Sequence, residues 1–101
     1  MPMSEFDYKG CLAFSLAGHD KGKVYVILDV EGDRALLSDG KLKPVTNPKS
    51  KKLKHIQLVK KTYDFYLKQF DNSDIEAGHT PTDEEVARAI KLFRREGKEE
   101  D

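Results

Sequence analysis

The stretch VYVILDVE, residues 24–31, constrains the fold more tightly than any other part of the chain. Its even positions, Val24, Val26, Leu28 and Val30, are all apolar, while the odd ones pass from Tyr25 and Ile27 to Asp29 and Glu31. A period of two marks a strand with one face in a core. The same parity recurs upstream in Leu12, Phe14 and Leu16, and downstream in Ile56 and Leu58. Gly32-Asp33 and Asp39-Gly40 sit between apolar runs and have the residue types of two-residue hairpin turns, so both predict tight hairpins. The pattern predicts strands over 11–17, 23–31, 34–38, 41–46 and 55–59, with a loop at 18–22 and a basic loop at 47–54. Five short strands joined by tight turns favour a small barrel over an open sheet, because closure removes exposed edges. Pro44 and Pro48 bracket the end of the fourth strand and place it at an edge or a bulge, since proline donates no ladder hydrogen bond.

The period changes after Lys61. Tyr63, Tyr66, Leu67 and Phe70 fall on one stripe of a short helix. DNSDIEAGHT supplies turn and cap residues. PTDEEVARAIKLFRREG then opens a second helix, whose stripe is Val86, Ala89, Ile90 and Phe93. Thr82 with Glu85 makes a capping box, and Thr80 with Pro81 at the first helical position is an equally good start. Gly97 lies where a C-terminal cap would sit. At 101 residues the chain predicts one small domain with an appendage.

The net charge of zero conceals a polarity. Residues 1–61 hold eleven lysines and one arginine against seven acids, a net +5, and residues 62–101 carry a net −5. Lys41 to Lys61 contains eight lysines and no acid. Such a tract repels itself unless a polyanion neutralises it, so phosphate contact explains it better than a solvated loop does. No run approaches the roughly 20 apolar residues of a membrane span, and the opening MPMSEFDYKG lacks the pattern of a secretion signal. The expected location is therefore cytoplasmic. Cys11 is the one cysteine, expected as a small buried residue and not a nucleophile. His19, His55 and His79 show neither a zinc-ligand spacing nor a nucleophile with its base, and His19 and Asp20, as chain neighbours, tend to point apart. No enzyme activity, cofactor, metal or small-molecule substrate is expected.

AGHDKGK, residues 17–23, joins two predicted strands and presents Lys21 and Lys23 on either side of Gly22. Glycines there let backbone amides approach a phosphate while the lysines supply charge; an ordinary tight strand connection uses the same residues. GHDKGKVYVILDVEGDRALLSDG resembles a KOW motif, the strand-loop-strand element of RNA-binding proteins and of archaeal and eukaryotic-type large-subunit ribosomal proteins. It is most similar to the small bacterial KOW-domain RNA-binding proteins. The resemblance covers roughly residues 11–60, including KPVTNPKSKKLKHI, and TDEEVARAIKLF is similar to the tails of those proteins. It implies a mainly β fold, a five-stranded SH3-like barrel over 8–61, followed by a helical extension over 62–101 that ends in an acidic tail. Many KOW motifs carry a further glycine where this chain has Tyr25, which is then either a base-stacking ring or a side chain packed on the helical tail.

The resemblance implies a non-enzymatic RNA-binding protein, ribosomal or ribosome-associated. Its contacts would be Gly18, His19, Asp20, Lys21, Gly22 and Lys23 in the loop, and Lys41, Lys43, Lys49, Lys51, Lys52, Lys54 and His55 in the basic tract. Lysines position a phosphate backbone and do not read bases, so structured RNA, ribosomal RNA above all, is the expected partner. Arg88, Arg94 and Arg95 are explained by the dipole of their helix and stay outside this set. The alternative is an SH3-like protein-protein interaction module that docks through its two C-terminal helical stripes.

Overall fold

The computed structural model describes residues 8–76 and 79–99. The first seven residues, Ala77 and Gly78 between the two helices in sequence, and the acidic end Glu100-Asp101 lie outside the described residues. Strands β1 (Cys11–Ser15), β2 (Val24–Glu31), β3 (Arg34–Ser38), β4 (Lys49–Lys52) and β5 (Ile56–Thr62) are followed by helices α1 (Tyr63–Asp71) and α2 (Asp83–Glu99). A 3-10 turn, Leu53–His55, joins β4 to β5. The sheet is antiparallel throughout in the order β4-β3-β2-β1-β5, and its ladder is not closed. Among the described residues no helix is long and apolar enough to cross a membrane.

Three of the predicted strands hold within a few residues, and the fifth runs on to Thr62, directly into α1. The fourth is a correction. Residues 41–46 are bends and turns, and β4 lies at 49–52, inside the stretch expected to be a basic loop. The Asp39 carboxylate accepts hydrogen bonds from the amides of Lys41 and Lys43, both at 2.9 Å, and Ser38 Oγ donates to the Lys43 carbonyl. Backbone groups satisfied locally in this way are lost to a ladder. Asp39-Gly40 therefore opens a folded loop and not a hairpin. Gly40 adopts φ 76°, and a side chain there would collide with the Asp83 carbonyl at the start of α2. Gly32-Asp33 does form the expected turn, closing the pair Glu31 and Arg34.

Both faces of the sheet are covered, where parity predicted one. Leu12, Val24 and Val26 pack under the helices with Tyr63, Tyr66, Leu67, Val86, Ala89 and Ile90, as the helical stripes anticipate. Phe93 joins them edge-on to Phe14 and Tyr66, with centroids 5.5 and 5.9 Å away. Phe70 closes its stripe only partly and stays 48% exposed. The odd positions Cys11, Ala13, Tyr25 and Ile27, with Ala35 and Leu37, form a second cluster in which no helix takes part. Leu53, Ile56 and Leu58 pack against it. A register shift between Ile27 and Asp29 moves Val30 onto this second side, as a bulge does when it adds a residue to one strand.

Both helices begin on side-chain caps. Thr62 Oγ1 accepts from the Phe65 amide to start α1, which stops at Asn72 in the left-handed region. Thr82 and Glu85 form the reciprocal capping box, with bonds of 3.0 and 3.2 Å, so the start at Thr80 is not used. α2 runs through Gly97 to Glu99, which corrects the expected stop. A helical glycine costs only about 1 kcal/mol relative to alanine, and Arg94 and Arg95 near that end suit the helix dipole.

Candidate nucleic-acid interface

Two buried carboxylates organise the region to which the predicted contacts belong. Asp20, in the loop between β1 and β2, accepts at Oδ1 from Ser15 Oγ (2.8 Å) and Lys51 Nζ (3.2 Å). Its Oδ2 accepts from Tyr25 Oη (2.7 Å) and Lys49 Nζ (2.8 Å). Burial by itself would raise this carboxyl, but the bonds from Lys49, Tyr25, Ser15 and Lys51 outweigh it and hold Asp20 far below the usual carboxylate range. Burial and the Asp20 charge push the Tyr25 hydroxyl well above its ordinary value. Asp39 is the second hub: besides the two loop amides it pairs with Lys23 Nζ at 2.9 Å. Against the cost of burial, its backbone bonds and Lys23 keep it ionised, below the ordinary range.

The pleat of β4 divides the basic tract. Lys49 and Lys51 pair in register with Leu37 and Ala35, members of the second cluster, and so face its rim. There they converge on Asp20, and Lys51 Nζ also donates to the Ala17 carbonyl at 3.0 Å. The side chains of Asp20 and Lys51 are each only 12% exposed. These lysines cover the rim of a core with their stems, and their charges are already matched. Ser50 and Lys52 point the other way, in register with Leu36 and Arg34.

The loop 18–23 is likewise occupied internally. The amides of Lys21, Gly22 and Lys23 donate to the carbonyls of Gly18, Ser15 and Asp20. Gly18 and Gly22 both have φ 87°, and a Cβ on Gly22 would meet nothing within 4 Å. These glycines take the left-handed conformation that the turn requires. Tyr25, 1% exposed and on the face away from the helices, neither stacks on a base nor packs on the tail.

Of the thirteen sequence-predicted contact residues, Asp20, Lys23, Lys49 and Lys51 are thus drawn into the protein's own ion pairs. His19, Lys21, Lys41, Lys43, Lys52 and Lys54 are exposed, and His55 is half-buried in the 3-10 turn. None of these five lysines makes an ion pair with a described residue. Sequence reasoning passed over Arg34, exposed opposite Lys52, its guanidinium anchored to Ser50 by a 2.7 Å bond. The opposition of Arg34 and Lys52 depends on β4, whose KSKK carries no hydrophobic period to mark it as a strand. His79 binds Glu85 at 2.8 Å beside the start of α2.

No protein-family model matches this chain, and no curated protein matches it.

Proposed function

We propose that this protein is a non-enzymatic RNA-binding module of the KOW type, acting in the cytoplasm on structured RNA, with ribosomal RNA as its foremost target. One observation carries the reading. Exposed Lys21, Lys41, Lys43, Lys52, Lys54 and Arg34 make no ion pair with a described residue, and Asp20 and Asp39, the largely buried acids of this region, are saturated by inward groups. Like charges set directly opposite each other, as Arg34 and Lys52 are, destabilise a sheet. A phosphate between them would remove that penalty.

The rigid base of this surface is read as an SH3-like barrel. β4 and β5 are opposite edges of the sheet, yet only residues 53–55 separate them. Four gaps of a flat sheet would span about 19 Å, whereas the four residue steps from Lys52 to Ile56 reach at most about 14 Å. The edges must curl toward each other. Burial of Cys11, Ala13, Ile27 and Leu37 without any helix over them supports the same curl. The rival protein-docking reading needs the helical stripes, and Tyr66, Leu67, Val86 and Ala89 are buried against the protein's own sheet.

The test is Lys41→Gln, Lys43→Gln, Lys52→Gln and Lys54→Gln combined, read by fluorescence anisotropy on a ribosomal RNA hairpin across a salt series. Each phosphate contact contributes about 0.7–0.9 to the slope of log affinity against log salt, so the variant should be shallower by about 3. Wild-type protein should also sediment with ribosomal particles at low salt and leave them at high salt. Unchanged affinity and slope in the folded variant would refute the assignment.

A further inference from the structure

A groove of about 610 Å3 lies between the loop that follows β3 and one face of α2. Its apolar lining includes Val24, Ala87 and Ile90, and its charged walls are Lys23, Lys41, Arg88, Lys91 and Arg94, with Asp39 and Glu84 as the acids. Several of these charges are already committed. Asp39 is bound by Lys23 and by the amides of Lys41 and Lys43, and Arg88 holds Asp71 through two bonds of 2.8 and 3.1 Å. Lys41 on one wall and Lys91 and Arg94 on the other make no ion pair with a described residue, against Glu84 alone.

The two walls are fixed to each other. The backbone at Gly40 approaches Asp83 and Ala87 so closely that no Cβ fits, and the Val45 amide donates to Asp83 Oδ1 at 2.8 Å. A groove held open in this way needs no reordering to receive a ligand. It also begins where the loop 18–23 ends, at Lys23, and shares Lys41 with the surface described above.

We infer that this groove carries a second length of the bound RNA strand: its phosphates meet Lys41, Lys91 and Arg94, and a sugar or base edge lies on Ala87, beside the edge of the core at Ile90. The inference rests on the RNA reading above and assigns part of the contact to α2, an element with no place in the sequence-based site. The excess of cations over acids argues for a polyanion, and the apolar floor argues for a strand with an apolar component over a bare ion.

The test compares three proteins on the same labelled ribosomal RNA hairpin: wild type, Lys52→Gln with Lys54→Gln, and Lys91→Gln with Arg94→Gln. Lys91 and Arg94 are exposed, so melting should be unchanged. The groove variant should lose about 1.4–1.8 from the salt slope, and each single replacement about half of that. A slope that moves with Lys52 and Lys54 but not with Lys91 and Arg94 overturns the groove and leaves the RNA reading standing. No binding by wild type, or no change in either variant, overturns both. Competition by inorganic phosphate where chloride of equal ionic strength has no effect would mark a discrete anion pocket and overturn the strand assignment.

Discussion

Lys51 and Lys52 are consecutive and chemically identical, yet the pleat of β4 gives them opposite surroundings. Lys51 lies 12% exposed against the carboxylate of Asp20, while Lys52 stands in solvent opposite Arg34. The first belongs to a buried, hydrogen-bonded cluster that closes the rim of a core. The second makes no ion pair with a described residue. A lysine-rich tract is thus not one electrostatic object. Two of its eight lysines, Lys49 and Lys51, hold the loop 18–23 against β4, while Lys41, Lys43, Lys52 and Lys54 stay exposed.

The strongest way to break this contrast is Asp20→Asn, which removes the charge from beneath Lys49 and Lys51 and keeps the shape. Two largely buried ammoniums without a counterion should cost about 3 kcal/mol, lowering the melting temperature by roughly 10–25 °C. A variant that melts normally and binds RNA more tightly would mean that Lys49 and Lys51 are surface charges after all. The pH dependence has a definite sign. The Asp20 carboxyl is depressed on folding, so its stabilisation is complete above the unfolded value near 3.9 and is lost as pH falls through the lower folded value. The gap between wild type and Asp20→Asn should therefore be constant from about pH 5 to 8 and narrow only in stronger acid.

Tyr25→Phe sharpens the comparison at one oxygen. It deletes the 2.7 Å bond to Asp20 and leaves the ring in the second cluster. A hydrogen bond to a charged acceptor is worth about 1.5 kcal/mol or more, measurable by urea titration with RNA affinity unaltered. A fall in affinity without a loss of stability would restore the stacking role the sequence suggested. The smallest effects come from the matched pair Lys51→Gln and Lys52→Gln. Lys51→Gln should destabilise by about 1 kcal/mol and leave the salt slope alone. Lys52→Gln should stay within about 0.5 kcal/mol and make the slope shallower by about 0.8. Identical behaviour of the two would erase the distinction.

Much of this organisation was legible in the chain. Alternation in 24–31 located β2, the apolar run after Gly32-Asp33 located β3 and the turn before it, and Thr82 with Glu85 was one of two starts offered for α2. These signals are local: a strand period, a turn and a cap each involve neighbours in sequence. β4 was missed because KSKK has no hydrophobic period, its alternation being one of inward and outward charge. The apolar-looking segment 41–46 misled because Asp39, a single side chain, takes up the amides a ladder would need. Asp20 was read as a member of a phosphate loop, and nothing near it in sequence announces Lys49 and Lys51 as its partners.

By itself, then, the sequence determined the strand-rich half and the helical half, the Gly32-Asp33 turn, and the concentration of lysine in the first. It could do so because those properties depend on residues a few positions apart. Only the tertiary structure decided which lysines are neutralised, which remain exposed, and that α2 shares a groove with the loop after β3. Those outcomes depend on strand pairing and on carboxylates some thirty positions away from the ammoniums they hold, and the charge of a side chain carries no record of which way it will point.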